Sequence, residues 1–128
     1  MKMQGPVLVV DDYKVMREIM VSMIQRLNFG RVEEAETAEE ALSHLRAERF
    51  GLVVCDVHMQ PIGGIELIQA MRLEPNLAAI PVLMVSADER AVTKEAVLRL
   101  GSIAFLRKPF DMRQLADALE SVDRSVAG

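Results

Sequence analysis

The sequence predicts an α/β fold in which a five-stranded parallel sheet is covered by helices on both faces. Short apolar runs, typical of strands, alternate with longer segments whose apolar residues recur at helical spacing. Three runs, Val7–Val10, Leu52–Cys55 and Pro81–Val85, are apolar throughout, as expected of parallel strands buried on both faces. This alternation is typical of a doubly wound sheet.

The remaining elements can be placed from the same patterns. The fifth strand in chain order is predicted at Ile103–Leu106, and the second, a weaker one, at Arg31–Ala35, where two glutamates indicate an edge strand. The five helices are predicted at about Tyr13–Leu27, Ala38–Ala47, Ile65–Arg72, Glu89–Leu100 and Met112–Val122. Two helix starts match a capping box, in which a cap oxygen is followed three residues later by Glu or Gln: Thr37–Glu40 and Asp111–Gln114.

The first predicted helix carries an apolar stripe that indicates the face packed on the core. The stripe consists of Met16, Ile19, Met20, Met23, Ile24 and Leu27. Val15 falls outside it and, with Tyr13, occupies the first turn, where a docking partner could reach both side chains.

Length, charge and composition restrict the function further. A chain of 128 residues corresponds to one domain, 1–128, without a separate output domain. The net charge of −4 argues against direct nucleic-acid binding, which needs clustered Lys and Arg. No apolar run is long enough for a membrane span or a secretory signal, and the single cysteine, Cys55, lies inside an apolar run. We therefore expect a cytoplasmic protein.

Polar side chains follow the predicted strands at their carboxyl ends. Asp11 and Asp12 follow the first strand, Asp56 the third, Ser86 the fourth and Lys108 the fifth. The carboxyl ends of parallel strands share one edge of the sheet, where ligands of open α/β folds bind. If the strand order is 2-1-3-4-5, the first and third strands are neighbours about 4.8 Å apart. Three carboxylates would then crowd into one site.

These residue types in one place indicate phosphoryl chemistry. Crowded carboxylates repel one another, and a divalent cation with oxygen ligands, such as Mg²⁺, relieves the repulsion. An ammonium from Lys108 and a hydroxyl from Ser86 complete the set of groups that neutralise and position a phosphoryl group. An aspartate can itself be the nucleophile and form an acyl phosphate, and Asp56 is the candidate.

Four segments together resemble response-regulator receiver domains, in particular the CheY-like single-domain members. They are Val9–Asp12, Val54–Met59, Pro81–Ala87 and Lys108–Phe110, in the family's order and spacing. The resemblance implies a flavodoxin-like (CheY-like) fold with strand order 2-1-3-4-5. It also implies a role in two-component signal transduction as a phosphoryl acceptor rather than as an enzyme.

The resemblance assigns the acceptor and the metal ligands residue by residue. Asp56 matches the phosphoacceptor. Asp11, Asp12 and Asp56, together with the backbone carbonyl of His58, match the ligands of Mg²⁺ (or Mn²⁺). Pro109 matches a proline that follows a cis peptide bond.

Further roles implied by the resemblance concern the phosphoryl group and its effect. Ser86 and Lys108 match the residues that bind phosphoryl oxygens, and Ser86 with Phe105 matches the switch pair. His58 and Asp88 occupy the two positions at which the family tunes the lifetime of the phosphoryl group. The implied donor is a sensor histidine kinase or a histidine phosphotransfer protein. The implied output is a changed face of the fourth helix, fifth strand and fifth helix, which binds a downstream protein not identified by the sequence.

Some assignments have structural alternatives. Ser86 also begins a possible capping box, Ser86–Glu89, and Phe105 could be an ordinary core residue. Two other functions stay open: a phosphorylation-independent docking module of receiver fold, and a phosphatase that forms an aspartyl phosphate. The chain also departs from the receiver pattern at Gln60, where proline is usual, and at Gly63, where an acidic or amide residue is usual. These departures leave the shape of the Met59–Gly64 loop open.

Overall fold

The computed structural model describes residues 5–87 and 103–127, and these residues form five strands and four helices. The strands are β1 (Val7–Val10), β2 (Val32–Ala35), β3 (Leu52–Asp56), β4 (Val82–Ser86) and β5 (Ile103–Arg107). The helices are α1 (Lys14–Arg26), α2 (Ala38–Ala47), α3 (Gly64–Leu73) and α4 (Met112–Ala127). The helix predicted at Glu89–Leu100 lies outside the described residues. Among those described, no helix combines the length and apolar character needed to cross a bilayer.

The five strands form one parallel sheet in the order β2-β1-β3-β4-β5, as predicted. Val10 of β1 is level with Cys55 of β3, so the residue after each of them emerges at the same edge. At the other end of the sheet order, Ser86 of β4 is level with Arg107 of β5. The register alone therefore brings the residues that follow β1, β3, β4 and β5 to one edge.

Alternate residues of the central strands supply two hydrophobic cores, one on each face of the sheet. Leu8 and Val10 belong to the core beneath α2 and α3, whereas Val7 and Val9 belong to the core beneath α1 and α4. The three central strands β1, β3 and β4 are buried along their entire length. This explains why their sequences are continuously apolar rather than alternating, up to the polar residues Asp56 and Ser86 at the ends of β3 and β4.

The apolar stripe of α1 was predicted to pack on the core. The prediction was correct for most of the stripe but wrong for Ile19. Met20 and Ile24 are buried in the core, and Met16, Met23 and Leu27 pack partly against it. Ile19 is 47% exposed. The stripe of six residues is wider than the surface that the sheet covers, so a residue at its margin remains in solvent beside Val15.

Both predicted capping boxes begin a helix. Gln114 N donates to Asp111 Oδ1 at 2.8 Å, and Asp111 N donates to Gln114 Oε1 at 2.9 Å, which satisfies two backbone donors reciprocally at the start of α4. At the start of α2, Glu40 N donates to Thr37 Oγ1 at 3.1 Å.

Strand β2 lies at an edge of the sheet and carries charge, as its composition predicted. The Glu34 carboxylate pairs with Arg17 of α1 at 3.0 Å. Arg31, just before the strand, forms ion pairs with Glu33 and with Glu48 beyond α2.

The first residue of α3 lies against the backbone of β3. A Cβ added to Gly64 would lie 2.2 Å from the carbonyl oxygen of Asp56, a contact that no side chain can make. Gly64 N donates to the Val57 carbonyl at 2.9 Å, which holds the helix start in this position. The absence of a side chain at residue 64 thus allows α3 to begin directly beside Asp56.

We expect Gly64→Ala to destabilise the protein by about 1–3 kcal/mol, because either the start of α3 or the end of β3 must move. The matched control is Gly63→Ala, whose Cβ would meet chiefly the mobile end of the Glu66 side chain. Urea unfolding of the two variants measures the difference. Equal unfolding midpoints for both variants would show that the close approach at Gly64 is not a constraint on the fold.

Candidate functional site

The sheet brings together the five polar residues predicted to form the site. Asp11 and Asp12 follow β1, Asp56 and Ser86 end β3 and β4, and Lys108 follows β5. Asp11 and Ser86 are fully buried, and only 8% of Asp56 is exposed. The charged groups at this edge of the sheet are therefore partly removed from water.

Lys108 is the cation shared by two of the carboxylates. Its Nζ lies 3.5 Å from Asp56 Oδ2 and 3.6 Å from Asp11 Oδ2. The side chain is only 16% exposed, so solvent screens these attractions less than it screens surface pairs. The Lys108–Pro109 peptide bond is cis, as the resemblance implied, and Lys108 N donates to the Ser86 carbonyl at 2.8 Å.

Asp56 has a different partner on each carboxylate oxygen. Oδ1 accepts a hydrogen bond from the backbone N–H of His58 at 3.2 Å, and Oδ2 faces Lys108. The bond to the residue two positions on is a turn that aspartate commonly forms. Sequence reasoning had assigned His58 a role through its carbonyl and missed this role of its N–H.

The electrostatic balance at Asp56 favours the protonated form more than in solvent. Burial raises the pKa of the Asp56 carboxyl above its ordinary value, and the negative charge of Asp11 acts in the same direction. The charge of Lys108 and the N–H of His58 lower the pKa without cancelling the rise. The positive charge near the Asp56 carboxylate is thus too small to offset the effects of burial and of Asp11 on its pKa.

Asp11 has one oxygen without a hydrogen bond. Oδ1 accepts from the backbone N–H of Tyr13 at 2.9 Å, whereas the buried Oδ2 has no hydrogen-bond partner among the described residues and lies 3.6 Å from Lys108 Nζ. A buried carboxylate oxygen without a hydrogen bond is costly unless something else binds it. A positively charged ligand bound to this oxygen would remove that cost.

Asp12 contacts the loop that follows β3. It is half-buried, and its Oδ2 accepts a hydrogen bond from the backbone N–H of Gln60 at 3.0 Å. The two residues are 48 positions apart, so this contact connects the end of β1 with the loop after β3. The Gln60–Pro61 peptide bond in this loop is also cis.

The three carboxylates can act together as a cation site. Asp11, Asp12 and Asp56 each offer one oxygen, and these oxygens lie within 4.8 Å of one another. A set of hard oxygen donors with one buried oxygen lacking a hydrogen bond fits Mg²⁺ or Mn²⁺. Cys55 is not part of this set, because burial, followed by the charges of Asp56 and Asp11, raises the pKa of its thiol well above the ordinary value.

A basic residue not singled out in the sequence holds the backbone of the acidic pair. The Arg17 guanidinium donates to the Asp11 carbonyl at 2.8 Å and also pairs with Glu34. Its position on α1, six residues after Asp11, is compatible with such a contact. Arginine is nevertheless common on exposed helix surfaces, so the sequence pattern does not distinguish Arg17 from other surface arginines.

The other predicted site residues differ in position. His58 is exposed, and its backbone N–H is the part that contacts Asp56. Phe105 is half-buried in β5 and packs against the core beneath α2 and α3. Asp88, and with it the alternative capping box that begins at Ser86, lies outside the described residues.

Comparison with known proteins gives consistent results. The model of the response regulator receiver domain family matches residues 7–120. Chemotaxis protein CheY of Pseudomonas aeruginosa is 31% identical over 122 residues, which cover 95% of this chain and 98% of that protein. The structure of chemotaxis protein CheY4 of Vibrio cholerae matches with a TM-score of 0.85 and 29% identity over 92% of this chain and 98% of that chain. A response regulator receiver protein from Pseudomonas putida matches with a TM-score of 0.83 and 33% identity over 94% and 99%.

Fold and site together define a phosphoryl-accepting signalling domain. The parallel order β2-β1-β3-β4-β5 is that of CheY-like flavodoxin folds, and the carboxylates and the lysine lie at its carboxyl edge. The chain belongs to the response regulator receiver domain family. Proteins of this family act in two-component signalling by accepting a phosphoryl group, and they bind Mg²⁺ through acidic residues.

We expect Asp56→Asn to stabilise the metal-free protein at neutral pH, raising Tm by roughly 2–6 °C, the change that about 1 kcal/mol produces in a domain of this size. The folded-state pKa of Asp56 is raised, so its contribution to stability is greatest below the ordinary value and is lost as pH rises through the folded-state pKa. The amide in the variant does not ionise, so the variant does not lose this stability as the pH rises.

Thermal unfolding in excess chelator, at neutral pH and below the ordinary aspartate pKa of about 3.9, measures the effect. The gain in Tm should be present at neutral pH and absent at the acidic pH, where Asp56 is protonated in both states. A lower Tm for Asp56→Asn at neutral pH would contradict the electrostatic balance described here.

Proposed function

We propose that Asp56 accepts a phosphoryl group from a phosphohistidine in a Mg²⁺-dependent reaction, and that the modified domain controls the binding of a partner protein. The observation that carries this proposal is the position of Lys108 Nζ, 3.5 Å from Asp56 and 3.6 Å from Asp11, beside a cluster of three carboxylates. A nucleophile, a cation and a candidate metal site therefore lie side by side at the carboxyl edge of the sheet. Positioning and charge neutralisation supply most of the catalysis in phosphoryl transfer.

In the proposed transfer, a carboxylate oxygen of Asp56 forms a bond to phosphorus. The bond from phosphorus to the imidazole nitrogen of the donor breaks, and its electron pair stays on that nitrogen, which solvent then protonates. Lys108 balances the charge of the phosphoryl oxygens, and the hydroxyl of Ser86 donates a hydrogen bond to one of them. The N–H of His58 holds the carboxylate of Asp56 in the orientation for attack.

The residues proposed to hold the metal are the carboxylates of Asp11, Asp12 and Asp56 and the backbone carbonyl of His58. When bound, a divalent cation neutralises the carboxylates and the phosphoryl oxygens. The raised pKa of Asp56 and the Asp11 oxygen without a hydrogen bond both support a need for this positive charge.

The proposed donor, a sensor histidine kinase or a histidine phosphotransfer protein, docks on the start of α1. Three apolar side chains are exposed there, at 62% for Tyr13, 54% for Val15 and 47% for Ile19. They lie next to the acidic pair along the chain, so a donor bound on them would be close to Asp56. Exposed apolar side chains adjacent to a polar site are typical of a protein interaction surface.

The proposed output is a change in one face of the domain. This face is formed by the helix predicted at Glu89–Leu100, by strand β5 and by the last helix, α4. Movement of Ser86 toward the phosphoryl group would leave space that Phe105, now half-buried against the core, can occupy. The phosphoryl group would thereby shift an equilibrium between two arrangements of that face. A downstream protein that binds one arrangement better is the partner.

The remaining parts of the proposal follow the sequence expectations. We propose that residues 1–128 act as one receiver domain in the cytoplasm, without a direct contact to nucleic acid. The domain is proposed to assist its own phosphorylation and dephosphorylation rather than to turn over an external substrate.

Incubation with acetyl phosphate and Mg²⁺, followed by intact mass measurement, tests the acceptor. We expect one phosphoryl adduct on the unmodified protein, because acetyl phosphate can replace the phosphohistidine as donor. The adduct should be lost in Asp56→Asn and in samples with excess chelator. The control is Asp117→Asn, which changes an exposed carboxylate on α4 by the same chemistry.

The alternatives give different results in the same experiment. A docking module that does not depend on phosphorylation would show no adduct. A phosphatase would release phosphate continuously from varied phosphate esters. Either result, or an adduct that persists in Asp56→Asn, would contradict the proposal.

The lifetime of the adduct tests the roles proposed for His58 and Asp88. His58 is exposed and lies two residues after Asp56 in the chain. We propose that its side chain hinders the approach of water, so we expect His58→Ala to speed hydrolysis at least about threefold, or roughly 0.7 kcal/mol in the barrier. We expect Asp88→Ala to change the rate as well. Loss of the adduct over time, followed by mass, measures both rates.

His44→Ala is the matched control, because His44 is the other histidine of the chain and lies on α2, away from the site. Its hydrolysis rate should equal that of the unmodified protein. Unchanged rates for both His58→Ala and Asp88→Ala would rule out a role in setting the lifetime.

A further inference from the structure

The backbone N–H of Gln60 is the group from which this inference starts. It donates at 3.0 Å to Oδ2 of Asp12, which lies in the loop after β1. A proline at residue 60 would have no N–H and could not make this bond. Proline is usual at this position in receiver domains. The contact therefore depends on a residue at which this chain departs from the usual pattern.

The loop that presents this N–H is fixed at both ends. At its start, His58 N donates to Asp56 Oδ1 at 3.2 Å. At its end, Gly64 N donates to the Val57 carbonyl at 2.9 Å, with the Cα of Gly64 packed closely on the backbone of Asp56. A donor held in this way can orient the group that it binds, because the loop has little freedom to follow the carboxylate.

The bond to Asp12 is charge-assisted, and such bonds are shorter and stronger than neutral ones. A carboxylate has two oxygens with about four acceptor positions, so one N–H leaves the others available to a cation. The bond also restricts rotation of the carboxylate, which a cation would otherwise have to restrict on binding. Hydrogen-bonded partners of metal-ligating carboxylates typically change metal affinity 10- to 100-fold.

We infer that the N–H of Gln60 is a positioning group that holds the Asp12 carboxylate ready for a divalent cation. The inference rests on the proposed cation site at Asp11, Asp12 and Asp56. It adds that the loop between β3 and α3 is coupled to the metal affinity of this domain through one backbone hydrogen bond.

The test is a calorimetric titration of the unphosphorylated protein with Mg²⁺. Gln60→Pro removes the N–H, and Gln60→Ala removes the side chain but keeps the N–H. A third form, with the α-hydroxy acid analogue of glutamine at position 60, replaces the N–H by an ester oxygen without the constraint of a proline ring. We expect Gln60→Pro and the ester form to bind Mg²⁺ about tenfold more weakly, and Gln60→Ala to bind as the unmodified protein does.

Thermal unfolding in excess chelator separates positioning from general damage. The ester form should unfold close to the unmodified protein when no cation is present, and the loss should appear on addition of Mg²⁺. Unchanged or tighter Mg²⁺ binding by the ester form would overturn the inference, as would an equal loss in Gln60→Ala. Failure of the unmodified protein to bind Mg²⁺ would overturn the proposed cation site together with this inference.

Discussion

Repulsion among three carboxylates at one edge of the sheet is the constraint on which the rest of the site depends. Asp11 and Asp56 are buried and close together, and each has Lys108 as its nearest cation. Burial, together with the negative charge of Asp11, raises the pKa of Asp56, and the one ammonium of Lys108 does not cancel the rise. The folded domain therefore keeps an unfavourable charge distribution at this edge of the sheet.

The backbone supplies much of what holds these charges in place. The carboxylates of Asp11, Asp12 and Asp56 each accept one N–H, from residues within or beyond their own loops. Backbone donors carry no net charge and cannot rotate away, so they orient the carboxylates without neutralising them. The sheet register and the turns after β1 and β3 thus hold the three carboxylates in position without neutralising their charge.

The sequence predicted the sheet well because burial on both faces leaves a direct mark on composition. The strand Val7–Val10 and the helix Ala38–Ala47 match the structure residue for residue, and the strand-end rule brought the charged residues together. Two features could not be predicted. The exposure of Ile19 depends on how much of α1 the sheet covers, and the bond to Asp12 comes from an N–H that nearly every residue possesses.

The charged edge strand β2 has a consequence for how this domain behaves among many copies of itself. An outer strand exposes backbone donors and acceptors to which a strand of another chain can add, and that is a route to aggregation. Along β2, Glu33 and Glu34 and their arginine partners place charge where an incoming strand would have to pack. Removing these glutamates would expose an uncharged edge and lower the solubility of the protein at high concentration.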